Sequence, residues 1–136
     1  KVGAMFGEAV VFTHGNMPKN FVTLVKQHGA LLAKGWLLGV QFDTLFTDDL
    51  YCRIARHAND AADRIREVLV ERGYTLTFDA PTNQIFITLD NATSERLQRN
   101  VRLGFMEKAD DTHTVMRICT SWATTDEQVE QLIALL

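Results

Sequence analysis

A near-continuous run of apolar residues opens the hydrophobic pattern of this chain. The run, Ala9 to Phe12, lies inside the segment from Gly7 to Thr13. Strict alternation would indicate a strand with one solvated face, whereas a continuous run is typical of a strand covered on both faces. We therefore predict that residues 7–13 form a buried strand of a large layered α/β sheet.

Helical spacing marks the next two segments. After an interruption at Pro18, apolar residues from Asn20 onward predict a helix of about four turns that ends near Gly35. A longer helix is predicted from Thr47, whose hydroxyl would cap it, to Gly73, which suits a left-handed C-terminal cap. At about 1.5 Å per residue this helix would span roughly 35 to 40 Å, enough to bridge two domains. Its apolar residues recur at intervals of three and four: Leu50, Ile54, Ala58, Ala61, Ile65 and Leu69.

After Gly73 the pattern becomes mostly alternating, which predicts strands. The predicted elements are, in order, strands 74–78 and 84–89, a helix 93–103, and strands 105–108 and 114–119 around a polar turn. We expect the first two strands to pair. Thr124, with Glu127 three residues later, predicts a capping box for a last helix.

These elements predict an α/β fold in two parts. Residues 1–47 would be the tail of a larger sheet domain. Residues 48–136 would be a small α+β domain that begins with the long linking helix.

Composition and charge exclude several classes of function. With 136 residues, 46% hydrophobic and 23% charged, the chain has enough apolar side chains for one globular core. A net charge of -3, with both signs interspersed, argues against nucleic acid and against a membrane surface as partners. No apolar run approaches the roughly 20 residues of a membrane span. Cys52 and Cys119 lack metal-binding or redox spacing, and they are typical of a reducing cytoplasm.

Few residues offer chemistry by pattern alone. His57, Asp60 and Asp63 lie close together on the predicted long helix, but such spacing is typical of a solvated face, and we expect no metal. Lys1 precedes two glycines and the predicted buried strand, although most lysines are solvated surface charges. A nucleophilic lysine needs burial or nearby positive charge, which lower its pKa from about 10.4. Because the chain starts without a methionine, we expect it to be the back portion of a longer protein.

Five segments add a more specific signal than any one motif. They are residues 1–12, 26–35, 37–42, 81–85 and 117–122, which occur in order and span nearly the whole chain. Together they resemble the threonine aldolase and β-eliminating lyase family of fold-type I enzymes, which use pyridoxal 5'-phosphate (PLP). The resemblance implies the tail of the large PLP-binding domain followed by a small C-terminal domain. It also implies a homodimer or homotetramer that acts on β-hydroxy or β-substituted amino acids.

The resemblance assigns roles to Lys1 and Arg117. Lys1 would anchor PLP covalently and release it to the incoming amino acid. Arg117 shares a strand face with Val115 and Cys119, an unusual place for a guanidinium unless an anion meets it. From the pattern alone, a solvated face or a structural ion pair fits equally well. The resemblance implies that Arg117 binds the substrate α-carboxylate.

One position departs from the family. Related sequences tend to carry an arginine that holds the cofactor phosphate where this chain has Trp36. Lys34 is the candidate replacement, as a point charge without the planar fork of arginine. The alternative is that Lys34 is a lysine at a helix end that complements the helix dipole.

The expected function is a PLP-dependent lyase that cleaves β-hydroxy-α-amino acids such as threonine to glycine and an aldehyde. We expect the fragment to be inactive alone. A PLP-dependent β-eliminating lyase is the close alternative. A non-catalytic dimerisation or interaction fragment is the alternative from another class.

Overall fold

A computed structural model describes residues 2–136, whose contacts form two compact units. The first unit ends at Tyr51, and the second comprises Cys52–Leu136. The role predicted for Lys1 lies outside the described residues. The assignment of the first unit to a larger PLP-binding domain stays a prediction.

The first unit contains two helices, α1 (Phe21–Gln27) and α2 (Trp36–Phe46), followed by a 3-10 turn at Thr47–Asp49. The strand predicted over 7–13 is wrong for this structure, because these residues have no regular secondary structure. Val10 and Val11 are 63% and 79% exposed. A strand buried on both faces needs neighbouring strands and covering layers, and residues 2–51 supply no other strand.

The first predicted helix ends early, and a second one follows that the sequence pattern does not predict. Helix α1 stops at Gln27 because Gly29 takes a left-handed conformation (φ +70°) and the Ala30 N–H donates to the Val25 carbonyl at 2.9 Å. The predicted end near Gly35 is therefore wrong. Helix α2 is apolar on almost all sides, so it lacks the amphipathic period that marks a helix in a sequence.

The long helix, α3, spans Leu50–Glu71 and starts three residues later than predicted. Thr47 does not cap it, because its hydroxyl donates to the Asp43 carbonyl at 2.7 Å. The predicted left-handed cap at Gly73 is confirmed, with φ of +79°. One face of α3 supplies five buried residues: Ala58, Ala61, Ala62, Ile65 and Leu69.

The second unit contains one antiparallel sheet of four strands in the order β1-β2-β4-β3. The strands are β1 (Thr75–Leu76), β2 (Gln84–Asp90), β3 (Gly104–Lys108) and β4 (His113–Cys119). The predicted pairing of the first two strands is confirmed. The central strands β2 and β4 pair over seven residues, from Gln84 opposite Cys119 to Asp90 opposite His113.

Two further helices, α4 (Asn91–Gln98) and α5 (Asp126–Leu135), complete the second unit. The capping box predicted at Thr124 lies one residue later. The Thr125 hydroxyl accepts from the Gln128 N–H at 3.2 Å, and the Gln128 side chain accepts from the Thr125 N–H at 3.0 Å. Thr124 instead closes the preceding turn, because its hydroxyl accepts from the Ser121 N–H at 2.8 Å.

The core packs one face of the sheet against α3, α4 and α5. Its residues are Ala61, Ala62, Ile65, Leu69, Ile85, Ile87, Leu89, Leu97, Leu103, Met116, Ile118, Val129 and Leu132. Because side chains alternate along a strand, the opposite face carries Gln84, Phe86, Thr88, Val115 and Arg117, and we call it the outer face. None of the helices in residues 2–136 combines the length and apolar composition of a membrane crossing.

Candidate functional site

Arg117 is the cation that β4 places near the middle of the outer face. Phe86 of β2 lies opposite it on one side and Gly104 of β3 on the other. The side chain is half-buried, and its Nη1 donates to Gln84 Oε1 at 3.2 Å. Nε is buried and has no hydrogen-bond partner within residues 2–136. A buried N–H left without a partner costs about 1 to 3 kcal/mol, so this guanidinium is incompletely paired.

Within residues 2–136, Arg117 does not form the structural ion pair that the sequence left open. An incompletely paired guanidinium without a carboxylate neighbour is suited to bind an anionic ligand.

The guanidinium points away from His113. Gln84 pairs with Cys119, so the hydrogen bond to Gln84 directs the Arg117 side chain toward the C-terminal end of β4. His113 lies four residues the other way along the strand, roughly 13 Å at the rise of a strand. Its Nδ1 lies 3.2 Å from the Asp110 carboxylate oxygens. The structure therefore does not bring His113 to the guanidinium.

The end of the sheet that holds Gln84 is fixed by a network around Thr120. The buried Thr120 hydroxyl donates to the Ala58 carbonyl of α3 at 2.6 Å. The Asn83 side-chain amide donates to the Thr120 carbonyl at 2.6 Å, and the Thr120 N–H donates to the Asn83 carbonyl at 3.0 Å. These bonds tie β2 and β4 to the long helix beside the candidate site.

Gly104 and Phe86 flank Arg117 on the two neighbouring strands. A Cβ built on Gly104 would lie 3.5 Å from Arg117 Nε and 3.4 Å from the Arg117 carbonyl oxygen, which are ordinary contacts. A longer side chain at this position would cover the guanidinium. Phe86 stacks on Phe78 with ring centroids 4.5 Å apart, which supplies an apolar wall beside the charge. Apolar surroundings lower the local dielectric and strengthen an ion pair.

Lys34 lies in the first unit, in the turn before α2. Its side chain is exposed, and its carbonyl accepts from the Leu37 N–H at 3.0 Å. The alternative reading of Lys34 as a helix-end lysine that complements a dipole is wrong, because the chain is not helical there and α2 starts two residues later at Trp36. Lys34 instead stands beside the positive end of α2.

Two of the other polar candidates have structural partners. His57 Nε2 lies 2.7 Å from the Thr124 carbonyl oxygen, and Asp63 pairs with Arg66. Three metal-ligating side chains do not come together anywhere in the described part of the chain. An open cavity of about 550 Å³ near the start of α4 is lined partly by Asp90 and Asp110.

Both of these carboxylates already serve the fold. Hydrogen bonds from the Thr112 side chain and backbone lower the pKa of Asp110, and the Thr93 backbone N–H lowers the pKa of Asp90.

Sequence reasoning missed the contact of Gln84 with Arg117 and the bonds by which Thr120 anchors the sheet to α3. Gln84 appeared as the start of a strand and, like Thr120, within a segment of the family resemblance. The available signal was polarity: both are polar residues at the ends of strands whose inner residues are apolar. That signal does not identify a partner, because the register of β2 against β4 sets which residue faces Gln84.

Comparisons with known proteins identify similar chains. No protein-family model matches this chain. A low specificity L-threonine aldolase of Pseudomonas aeruginosa is 29% identical over 133 residues, and one of a Pseudomonas species is 28% identical over 135 residues. These alignments cover 97% and 98% of this chain, and the chain spans 38% of the length of each relative.

A solved structure agrees with these relatives. Leishmania major threonine aldolase superposes with a TM-score of 0.82 and 35% identity, covering 87% of this chain and 34% of that one. The predicted resemblance to threonine aldolases is confirmed, and it extends over part of those proteins. The predicted mixed α/β fold class is confirmed as well.

Proposed function

We propose that this chain, which is similar to about a third of a threonine aldolase, is part of a PLP-dependent lyase. The reaction is retro-aldol cleavage of a β-hydroxy-α-amino acid such as threonine to glycine and an aldehyde. Similarity to proteins named threonine aldolase over nearly the whole chain supports this reaction. The single structural observation that carries it is the incompletely paired Arg117 on the outer face of the sheet.

In this proposal Arg117 binds the α-carboxylate of the amino acid. The guanidinium and a carboxylate form parallel hydrogen bonds that fix orientation as well as affinity. Held in this way, the substrate presents the bond between Cα and Cβ in one direction, which makes positioning the main contribution of Arg117. Phe86, which lies opposite Arg117 on β2, adds apolar surface on one side of the pair, and apolar surroundings strengthen an ion pair.

The residues present suit the phosphate of PLP to a limited extent. Lys34 supplies one exposed charge beside the N-terminus of α2, whereas the exposed ring of Trp36 supplies none. In the proposal Lys34 helps to hold the phosphate, and Lys1 is the covalent anchor that the family resemblance implies. When bound, PLP accepts the electron pair released from the broken bond.

We further propose a cytoplasmic homodimer or homotetramer. The first unit exposes large apolar side chains such as Met5, Val11 and Trp36. Exposed apolar surface of this kind marks a contact with further protein, which supports a larger assembly.

Replacement of Arg117 in the full-length protein tests the proposal. We expect Arg117→Ala to weaken the binding of threonine about 10- to 100-fold, because a charge-assisted hydrogen-bond pair is lost. The matched control is Arg99→Ala, which removes an exposed arginine after α4. Acetaldehyde release from threonine and pyruvate release from serine, measured on the same protein, separate aldol cleavage from β-elimination.

Two results contradict the proposal. If Arg117→Ala binds threonine as tightly as Arg99→Ala does, Arg117 does not bind the substrate. If the full-length protein stays colourless with PLP and releases no aldehyde, the proposed enzymatic activity is wrong.

A further inference from the structure

The hydrogen bond between Gln84 and Arg117 carries an inference that rests on the proposed function of Arg117. We propose that Gln84 is a positioning residue: it holds the guanidinium in the orientation that receives the substrate carboxylate. The bond joins Gln84 Oε1 to Arg117 Nη1 over 3.2 Å, on the outer face and between the two central strands.

Gln84 is the hydrogen-bond partner that orients the end of the Arg117 side chain. Within residues 2–136, Gln84 Oε1 is the acceptor that the guanidinium contacts, and Nε has none. Arginine has large rotamer freedom, and a restraint that acts before the ligand arrives reduces the entropy lost on binding. Nη1 therefore already has a partner, Nε is buried, and Nη2 is the nitrogen that stays available for a carboxylate.

Gln84 can act as a support because its own position is fixed. It is the first residue of β2 and pairs with Cys119, and its N–H lies 3.3 Å from the Thr82 hydroxyl. The next residue back, Asn83, is bonded to Thr120 through both its side-chain amide and its carbonyl, and Thr120 is anchored on α3. A site residue supported by packed strands keeps its geometry better than one on a loop.

An amide is the suitable group for this role. A carboxylate at position 84 would also accept from Nη1, but its negative charge would neutralise the guanidinium and repel the substrate carboxylate. The glutamine accepts the hydrogen bond without changing the charge of the site. We therefore expect Gln84→Ala and Gln84→Glu to differ in their effect on carboxylate binding.

The test compares a ligand that has a carboxylate with one that lacks it. Full-length protein loaded with PLP is titrated with glycine and with methylamine, and binding is followed by the visible spectrum. We expect Gln84→Ala to weaken glycine about 3- to 10-fold, the range of one hydrogen bond, and to leave methylamine unchanged. Gln84→Glu should weaken glycine more than Gln84→Ala does. The matched control is Gln131→Ala, an exposed glutamine on α5 whose side chain also makes one bond, to Glu127.

A double-mutant cycle shows whether Gln84 acts through Arg117. In an Arg117→Ala background, Gln84→Ala should cause no further loss of glycine binding, because residues that act as a unit are not additive. Steady-state kinetics should place the effect of Gln84→Ala in KM for threonine. Circular dichroism melting checks each variant, and Gln84→Met, which keeps the length of the side chain, replaces Gln84→Ala if that variant unfolds.

The outcomes separate the two proposals. If Arg117→Ala weakens glycine but Gln84→Ala behaves like Gln131→Ala, the role of Gln84 is overturned and that of Arg117 stands. Equal losses of glycine and methylamine in Gln84→Ala also overturn the positioning role, since the effect would then be structural. If Arg117→Ala leaves glycine binding unchanged, the proposed function itself fails.

Discussion

The two units of the molecule differ in how far their apolar side chains are buried. In Cys52–Leu136, a continuous core joins three helices to one face of the sheet. Among residues 2–51 no side chain is buried, and Val11, Trp36 and Phe46 are exposed. Both units are rich in apolar residues, so composition does not decide which of them are buried. Burial depends on whether the unit contains the elements that would cover them.

The first unit therefore has the properties of a surface that packs against further protein. Helix α1 has seven residues and contains no buried residue, and isolated helices of that length are marginal in water. Phe42, Phe46 and Tyr51 stack in a row with ring centroids 6.2 and 5.4 Å apart, beside a largely apolar cavity of about 260 Å³. In our proposal, other parts of the full-length lyase cover this surface.

Truncation of a core residue should give the largest effect. We expect Ile87→Ala, at a fully buried position of β2, to lower the free energy of unfolding by about 2 to 5 kcal/mol. The matched change in the first unit is Leu37→Ala, at a residue that is 41% exposed, and it should cost under about 1 kcal/mol in this chain. Urea denaturation followed by circular dichroism measures both. If both variants lose the same free energy of unfolding, the difference in burial between the units is contradicted. A larger loss for Leu37→Ala in the full-length protein than in this chain would support it.

The Thr120 network should give the next effect. Thr120→Val keeps the shape of the buried side chain but removes the hydroxyl that donates to the Ala58 carbonyl. We expect a loss of about 1 to 3 kcal/mol, because a buried carbonyl loses a donor. The same denaturation experiment gives the loss, and Thr44→Val serves as control because its hydroxyl bonds an exposed carbonyl in α2. A neutral Thr120→Val would show that this network does not hold the end of the sheet.

The capping box of α5 should contribute a smaller amount. Thr125→Ala removes the acceptor for the Gln128 N–H and should cost about 1 kcal/mol. Thr124→Ala is the informative comparison, because the pattern of the sequence favoured Thr124 as the cap. A greater loss for Thr124→Ala than for Thr125→Ala, measured by thermal melting, would contradict the assignment.

The pH response of Asp110 should be the smallest effect. Its pKa in the folded protein is lowered from 3.8, first by the hydrogen bond from the Thr112 side chain. A lowered pKa means that the stabilisation is present above pH 3.8 and is lost as the pH falls below that value. Asp110→Asn should therefore flatten the acid limb of a plot of stability against pH. An acid limb identical to that of the unchanged protein would contradict this contribution.

Much of the second unit could be predicted from the sequence because its elements have a clear period. The face of α3 repeats every three to four residues, and β2 alternates between core and outer face, so both elements were expected. The elements of the first unit lack a regular alternation of apolar and polar residues. The apolar run at 9–12 suggests a buried strand, yet no strand in residues 2–51 is available to pair with it. Helix α2 was missed because its apolar residues leave no polar face.

The candidate site could be predicted only in part. Arg117 stands out locally, since a charged residue alternates there with apolar ones on a strand. Gln84 does not, because 33 residues separate it from Arg117 and only the register of two strands brings them together. The sequence pattern placed Lys34 at the end of a helix, but that helix ends earlier, at Gln27, because Gly29 takes a left-handed conformation. The surroundings of Lys34 therefore could not be predicted correctly.

The most direct test of the account is a crystal structure of the full-length protein with an amino acid bound. We predict that the α-carboxylate lies within hydrogen-bonding distance of the Arg117 guanidinium, with Gln84 still bonded to Nη1. A carboxylate held by other residues, with no contact to Arg117, would contradict the account.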